Sequence, residues 1–428
     1  MNKINLIPKF ALAIFLAVLM GCQDKILETY DLNTPVYMSY DLMRSSVYDT
    51  LPMEFEHPGK IYIKDNYLFI NEVSEGIHIV DNSNPSDPEV ITFINIPGNV
   101  DLAIMDNTLY ADSYVDLVVL DISNLGEIKE IGRIEEVFDY SLPEYESGER
   151  LGAIDESQGV VIGWKKEKVT EEVEDPSSYG YPVRNWGLFM AMDKAVNAGS
   201  VSESFGSTGT GGSMARFIIY NKVLYAIDQS NLHLFNLSDS NDPHSEGDYS
   251  VGWNIETVFI ARDHLFIGAQ SGMYIYDLYN PLNPSYVSTY WHVTSCDPVV
   301  VQGDYAYVTL RTGTVCQSDA NQLDVVYVKD LSNPELIKSY NMVNPHGLGI
   351  DNDKLFICDG NAGLKVYWAD DPLNIAKNKI AQFEDINAFD VIPIDDLLIL
   401  IGEEGLYQYD YSDVTEMKLL SVLPIFED

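Results

Sequence analysis

Short apolar runs broken by tight polar pairs mark most of this chain. Lys60–Lys64 and Tyr67–Asn71 flank Asp65-Asn66, and Gly76–Asp81 and Glu89–Ile96 flank the break Asn82–Pro88. Asp-Asn and Asn-Pro clusters between such runs are hairpin signals, so the stretch predicts four antiparallel strands. The runs are nearly continuous, as in Tyr67-Leu68-Phe69-Ile70. Strands covered on both faces read this way, whereas half-exposed strands alternate.

The pattern then repeats. Gly76-Ile77-His78-Ile79-Val80-Asp81 returns as Gly272-Met273-Tyr274-Ile275-Tyr276-Asp277, each followed by a turn closing in Asn-Pro, and a third version spans Leu323 to Pro334. A period near forty residues predicts a unit that stacks on its neighbours to bury itself. Aligning the ends of the third strands gives Asp81, Asp121, Asp193, Asn236, Asp277, Asp330, Trp368 and Asp410, with spacings of 40, 72, 43, 41, 53, 38 and 42. The spacing of 53 holds an insertion around Arg311–Gln322, and that of 72 holds Thr170–Asn185, which reads as a surface excursion. The third unit is degenerate, with a strand at Val160–Trp164 and a flexible link at Gly206–Ser213. Counting it predicts an all-β chain forming a single β-propeller of about eight four-stranded blades; discounting it leaves seven. The last unit carries four strands of its own, so the ring can close by face packing, with or without help from residues 34–40.

The phrases Ile-His-Ile-Val-Asp, Leu-Val-Val-Leu-Asp and Met-Tyr-Ile-Tyr-Asp resemble the LVIVD repeat of bacterial and archaeal surface proteins, and most of all its lipoprotein members from Bacteroidetes. The resemblance covers nearly all of Pro58–Asp428 and is weakest over Phe138–Ser213. It implies a propeller at the cell surface and carries over no catalytic residues. Asn236 and Trp368 depart from the Asp of the phrase, which makes that Asp a turn former.

The N-terminus reads as an export signal. Lys3 and Lys9 precede an apolar core, Phe10 to Met20, too short to span a bilayer. Leu19-Met20-Gly21-Cys22 resembles the bacterial lipobox. Cleavage before Cys22, diacylglycerol on its thiol and a palmitate-type chain on the new amine would give a stable anchor, since several chains hold where one does not. Residues 1–21 are then the signal peptide, 22–57 a lipidated tether and N-terminal segment, and 58–428 the propeller. Asp24 is a weak outward-sorting signal, which leaves an outer-membrane lipoprotein on the cell surface or the periplasmic face.

Formal charge is −41, near −43 once Lys3 and Lys9 are removed. Such a shell repels phosphate backbones and excludes nucleic acid. Of the remaining cysteines, Cys296 and Cys316 fall at one end of a predicted hairpin, Val299–Val301 with Tyr305–Val308, and form the candidate disulfide in an oxidising compartment. Cys358 follows Leu355-Phe356-Ile357 and reads as a buried free thiol.

Eight or nine residues before each aligned second strand lie Lys60, Asp101, Arg216, Glu256, Asp297, His346 and Asp390. Each would open an inner strand at one mouth of the channel, the usual binding place of propellers by fold analogy. The competing explanation is that channel mouths are wet and these residues are solvated. No catalytic residue or metal ligand set is assigned. The acidic pairs lack a calcium-loop pattern, although a structural calcium is compatible with them, and no other cofactor is implied. No nucleophile elbow or phosphate loop is present. Three functions fit: a non-catalytic binding or interaction module for a protein, peptide or glycan; a propeller hydrolase or lyase using the channel mouth; and a scaffold of an envelope complex. If Cys22 is the anchor, Cys22→Ser should leave the detergent phase on cell fractionation; a variant still partitioning with lipoproteins would refute lipidation at this position.

Overall fold

The computed structural model describes residues 26–145, 149–173, 210–211, 213, 215–292, 298–312 and 320–426. Cys22, Cys296, Cys316 and Asp297 lie outside them. The chain divides into two compact units, Met1–Tyr40 with Ser141–Leu188, and Asp41–Tyr140 with Phe189–Asp428. Among the described residues no helix is long and apolar enough to cross a membrane.

The smaller unit is built on a three-stranded sheet. Ile26–Met38 runs antiparallel to Val160–Val173 and parallel to Arg150–Leu151. Arg150 bridges two of its strands, bonding Glu28 at 2.8 Å and lying 3.8 Å above the Tyr30 ring. Of residues 34–40, the candidate for helping to close the ring, 34–38 are spent in this sheet.

Among its described residues the larger unit holds seven four-strand meanders, hereafter the first to seventh blades. Their inner strands are Pro58–Lys64, Leu102–Met105, Phe217–Tyr220, Ile255–Ala261, Val299–Gln302, Leu348–Asp351 and Ala388–Ile394. The first blade gains a strand at each edge, Tyr48–Thr50 outside and Thr210–Gly211 inside. With the smaller unit's sheet, the total is the eight that the spacing predicts. Of the two blade counts the spacing allows, the ring takes seven. The described strand of the third repeat, Val160–Val173, lies in the separate sheet, and its Lys and Glu residues at 165–168 are exposed; Asp193 lies outside the described residues.

Apolar side chains fill every seam between consecutive blades. The largest cluster spans the first three. Others join third to fourth, fourth to fifth, fifth to sixth and sixth to seventh. The last, with Ile61, Ile63, Leu68 and Ile70 against Phe389, Ile392, Ile399 and Ile401, joins seventh to first and closes the ring by face packing. Asn82 and Gln408, both buried, exchange two hydrogen bonds of 2.8 and 2.7 Å across it. Tyrosine has a specific use here. Tyr110, Tyr225 and Tyr307, at equivalent places on second strands, donate to Ser240, Pro281 and Ala369 carbonyls of the next blade.

Each blade ends with a β-bulge between its third and outer strands. A bulge twists an exposed edge away from pairing with other chains. The Asp of the repeat is a turn former: Asp81, Asp121, Asn236, Asp277 and Asp410 each accept from the backbone N–H two residues on. Asp330 makes the same bond but sits three residues later, because Tyr327 occupies the ladder position of Asp81. It aligns with Asn84 and Asp413, which form the second turn of the same break.

The described part of the link Gly206–Ser213 is in the channel. Thr210 lies opposite Ile63 and Gly211 opposite Tyr62, on the edge of the first inner strand that faces away from its own blade. Ser213 Oγ accepts from Leu348 N of the sixth blade at 3.3 Å, and Ala215 O from Val258 N of the fourth at 2.8 Å. The antiparallel pairing sends this chain toward the end where inner strands begin. Ile399→Ala at the closing seam should cost about 2–5 kcal/mol and Ile399→Val about 0.5–1.5 kcal/mol, read as denaturant midpoints by circular dichroism; equal, negligible losses would show that the seam does not carry the closure.

Candidate functional site

All seven inner strands run in one sense around the channel, so their first residues share one mouth. Bulges at Pro58/Ile61, Ile255/Thr257 and Ala388/Asp390 re-aim side chains there. Lys60 and Glu256 sit within two of these bulges. Glu256 is partly exposed, whereas Lys60, Asp101, His346 and Asp390 are buried.

Lys60, Asp101 and Arg216 come together from three blades. Lys60 Nζ lies 3.0 Å from Asp101 Oδ2. The same oxygen accepts from the backbone N–H groups of Arg216 and Phe217, while Oδ1 accepts from Leu102 N. Asp101 therefore fixes the point at which the chain emerging from the channel becomes the third blade. Burial, aided by the Arg216 charge, pushes the Lys60 ammonium down to about 8 against the pull of Asp101.

His346 and Asp390 meet beside them. The His346 ring packs 5.4 Å from Phe389, and a Cβ on Gly347 would lie only 2.2 Å from Asp390 Oδ1. Asp390 Oδ1 accepts from Val391 N at 2.8 Å. Burial holds the Asp390 carboxyl well above the usual carboxylate range, against the pull of Lys60. Asn344 Nδ2 donates to His346 Nε2 at 3.0 Å, and burial with the nearby Arg311 holds His346 neutral. Buried polar atoms without a hydrogen-bond partner among the described residues include Arg216 Nε and Asp390 Oδ2 at this mouth, and Asn71 Oδ1 and His78 Nδ1 at the same end of the first blade.

Arg311, Asn344 and Asp112 were not marked by the offset that marks the ring. Arg311 and Asp112 lie at or next to second-strand ends, and Asn344 precedes an inner strand. Asp112 Oδ1 accepts from Asn99 Nδ2, Val100 N and Asp101 N at 2.8–2.9 Å, and burial raises its carboxyl to about 6. A carboxylate capping the loop into its own blade's inner strand recurs as Glu72 and Asp359. In the first, third and sixth blades a carboxylate at this end also meets a base on the third strand: Glu72 with His78, Asp228 with His233, and Asp359 with Lys365. Recurrence at equivalent positions makes these framework pairs. Cys358 is buried and free, its thiol pushed up by burial. Among the described residues no three His, Cys, Asp or Glu side chains are placed to hold a metal ion.

Seven meander sheets around a channel define a β-propeller. LVIVD repeats match residues 58–94, 99–135 and 295–342. No curated protein sequence matches. Similar solved structures include the computationally designed Ika8 protein (8% identity, 89% of this chain and 92% of that one, TM-score 0.50). Hsv2 of Kluyveromyces lactis follows at 10% identity, 86% and 100% coverage and TM-score 0.48. BamB of Moraxella catarrhalis has 8% identity, 79% coverage of both chains and TM-score 0.45. At such identities the likeness is one of fold alone.

His233 offers a pH test of the framework. Its Nε2 lies 2.8 Å from Asp228 and its Nδ1 2.7 Å from Asp248, with Asp139 near Asp228 and Phe138 edge-on to the ring. Burial lowers the His233 pKa, but the two carboxylates more than reverse this and leave it above 6.5. Burial raises Asp228, but bonds from His233, Ser230 N and Asn231 N bring it down to about 2. The raised imidazolium stabilises fully below its ordinary 6.5 and loses this as pH rises through the folded value; the depressed carboxylate stabilises above 3.8 and loses this as pH falls toward 2. The stability gap between wild type and His233→Gln should be widest between these limits and narrow on the alkaline side. A gap independent of pH would overturn the ion-pair assignment.

Proposed function

We propose that this protein is an extracytoplasmic lipoprotein, tethered through Cys22, whose propeller is a non-catalytic binding module with its site at the channel mouth. One observation carries the reading: Arg216 Nε and Asp390 Oδ2 are buried there without partners among the described residues. Buried polar groups are normally satisfied, and exceptions collect where a ligand or ordered water belongs. Lys60, Asp101, Arg216, Glu256, Asp297, His346 and Asp390 are the proposed surround, although Asp101 also anchors the chain. The alternative of a hydrolase or lyase draws support from Lys60, an amine brought down to about 8, beside Asp390, whose carboxyl burial raises well above the usual range. Turnover abolished by Lys60→Met would favour it.

The test uses the exported chain without its acyl anchor, screened on glycan arrays and by pull-down. Asp297→Ala and Arg216→Gln should each weaken binding of the ligand that emerges with melting little changed, and His346→Ala should weaken it beyond what its lost packing on Phe389 costs in melting. Unchanged binding with lowered melting would assign these residues to the scaffold alone.

A further inference from the structure

We propose that the group recognised at the channel mouth is a carboxylate, seated between Arg216, Lys60 and Asp390. This rests on reading the mouth as a binding site and names the chemistry of its ligand.

The argument is one of unspent hydrogen-bonding capacity. The carboxylate acceptors around Lys60 and Arg216 are already used, although Asn71 Oδ1 beside Gly59 is a spare amide acceptor at the same end of the first blade. Both oxygens of Asp101 accept, Oδ2 from three donors. Asp112 Oδ1 accepts from three more. Between Arg216 and Asp390 the capacity left over belongs to donors. Arg216 Nε–H can only donate. Asp390 is wholly buried, with Oδ1 engaged by Val391 N and Oδ2 unpartnered. An ionised oxygen left bare there would be desolvated and unpaired, so the carboxyl keeps its proton and presents Oδ2–H. His346 accepts at Nε2, which places its proton on Nδ1. A ligand that completes this set must bring acceptors.

It must also bring negative charge. Lys60 and Arg216 raise the potential at each other, and Arg311, also buried, lies within electrostatic reach of His346. Asp101 offsets part of this positive charge, and Asp390 offsets none while protonated. A water would satisfy hydrogen bonds without relieving the charge. A tetrahedral dianion would bring a second negative charge beside Asp101 and Asp112 in a chain already at −41. A carboxylate carries one charge and two oxygens, one for Arg216 Nε–H and one for the Asp390 hydroxyl.

The experiment is isothermal titration of the exported chain, without its acyl anchor, with acetate, N-acetylalanine and glucuronate, and with glucuronamide and phosphate as controls. The three acids separate a simple carboxylate, a peptide C-terminus and an acidic sugar as sources. At least one acid should bind, and glucuronamide should not. Arg216→Gln should weaken the bound acid on the order of ten- to a hundredfold, the span of a charged hydrogen bond. Asp390→Asn, which still donates, should retain it within a few-fold, whereas Asp390→Leu should not. Phosphate binding above every acid, or glucuronamide matching glucuronate, overturns the proposal on wild-type protein alone. If none of the acids binds but the ligand from the screens is lost in His346→Ala, the mouth is a binding site and the carboxylate assignment is wrong. If neither acids nor that ligand respond to any mouth variant, both readings fail.

Discussion

A blade whose middle strands are apolar on both faces cannot be stable alone, because either face left in water forfeits its burial. Fully burying a Val, Leu, Ile or Phe side chain contributes about 1.5–3 kcal/mol, and the seams here hold such side chains from every blade. Each blade therefore needs two neighbours, and only a closed ring provides them for all. The polar features follow from this. Bulges turn the outer edges away, Asx turns shape the breaks, and tyrosine hydroxyls satisfy carbonyls that packing would otherwise strand.

The same constraint gathers charge at the mouth. Inner strands converge where there is little room for solvent, so polar residues at their starts are desolvated by neighbours from other blades. Lys60 and Asp101 are far apart in sequence yet pair at 3.0 Å because consecutive blades bring the same repeat position to the same place. Desolvation then pushes acid and base toward neutrality, as at Asp390 and Lys60. This chemistry belongs to the ring and to none of its blades.

What was legible in the sequence is what a single blade determines. Gly76–Asp81 and Leu397–Gly402 are strands over the spans their apolar runs define, and the fixed offset before second strands located six described inner-strand starts. Relations between blades were not legible. Nothing local shows that Lys60 meets Asp101, or that Arg311 lies near His346. Asp330 aligns three residues late because two Asx turns lie in tandem in other blades, at Asp81 and Asn84 and at Asp410 and Asp413, and either can supply the Asp. The third repeat misled for a related reason: Val160–Trp164 reads as a strand and is one, but its partner is Ile26–Met38, more than a hundred residues away.

Thr210–Gly211 has a consequence for how this chain assembles. Connections in folded chains rarely pass through closed loops, yet this segment lies on the channel side of the first blade, ringed by all seven. Its two residues pair with Ile63 and Tyr62, so they find their place only once the first inner strand exists. The seam of Ile61, Ile70, Ile392 and Ile399, which docks the seventh blade on the first, completes the wall around them. Closing the circle thus encloses a piece of the chain as well as burying apolar surface.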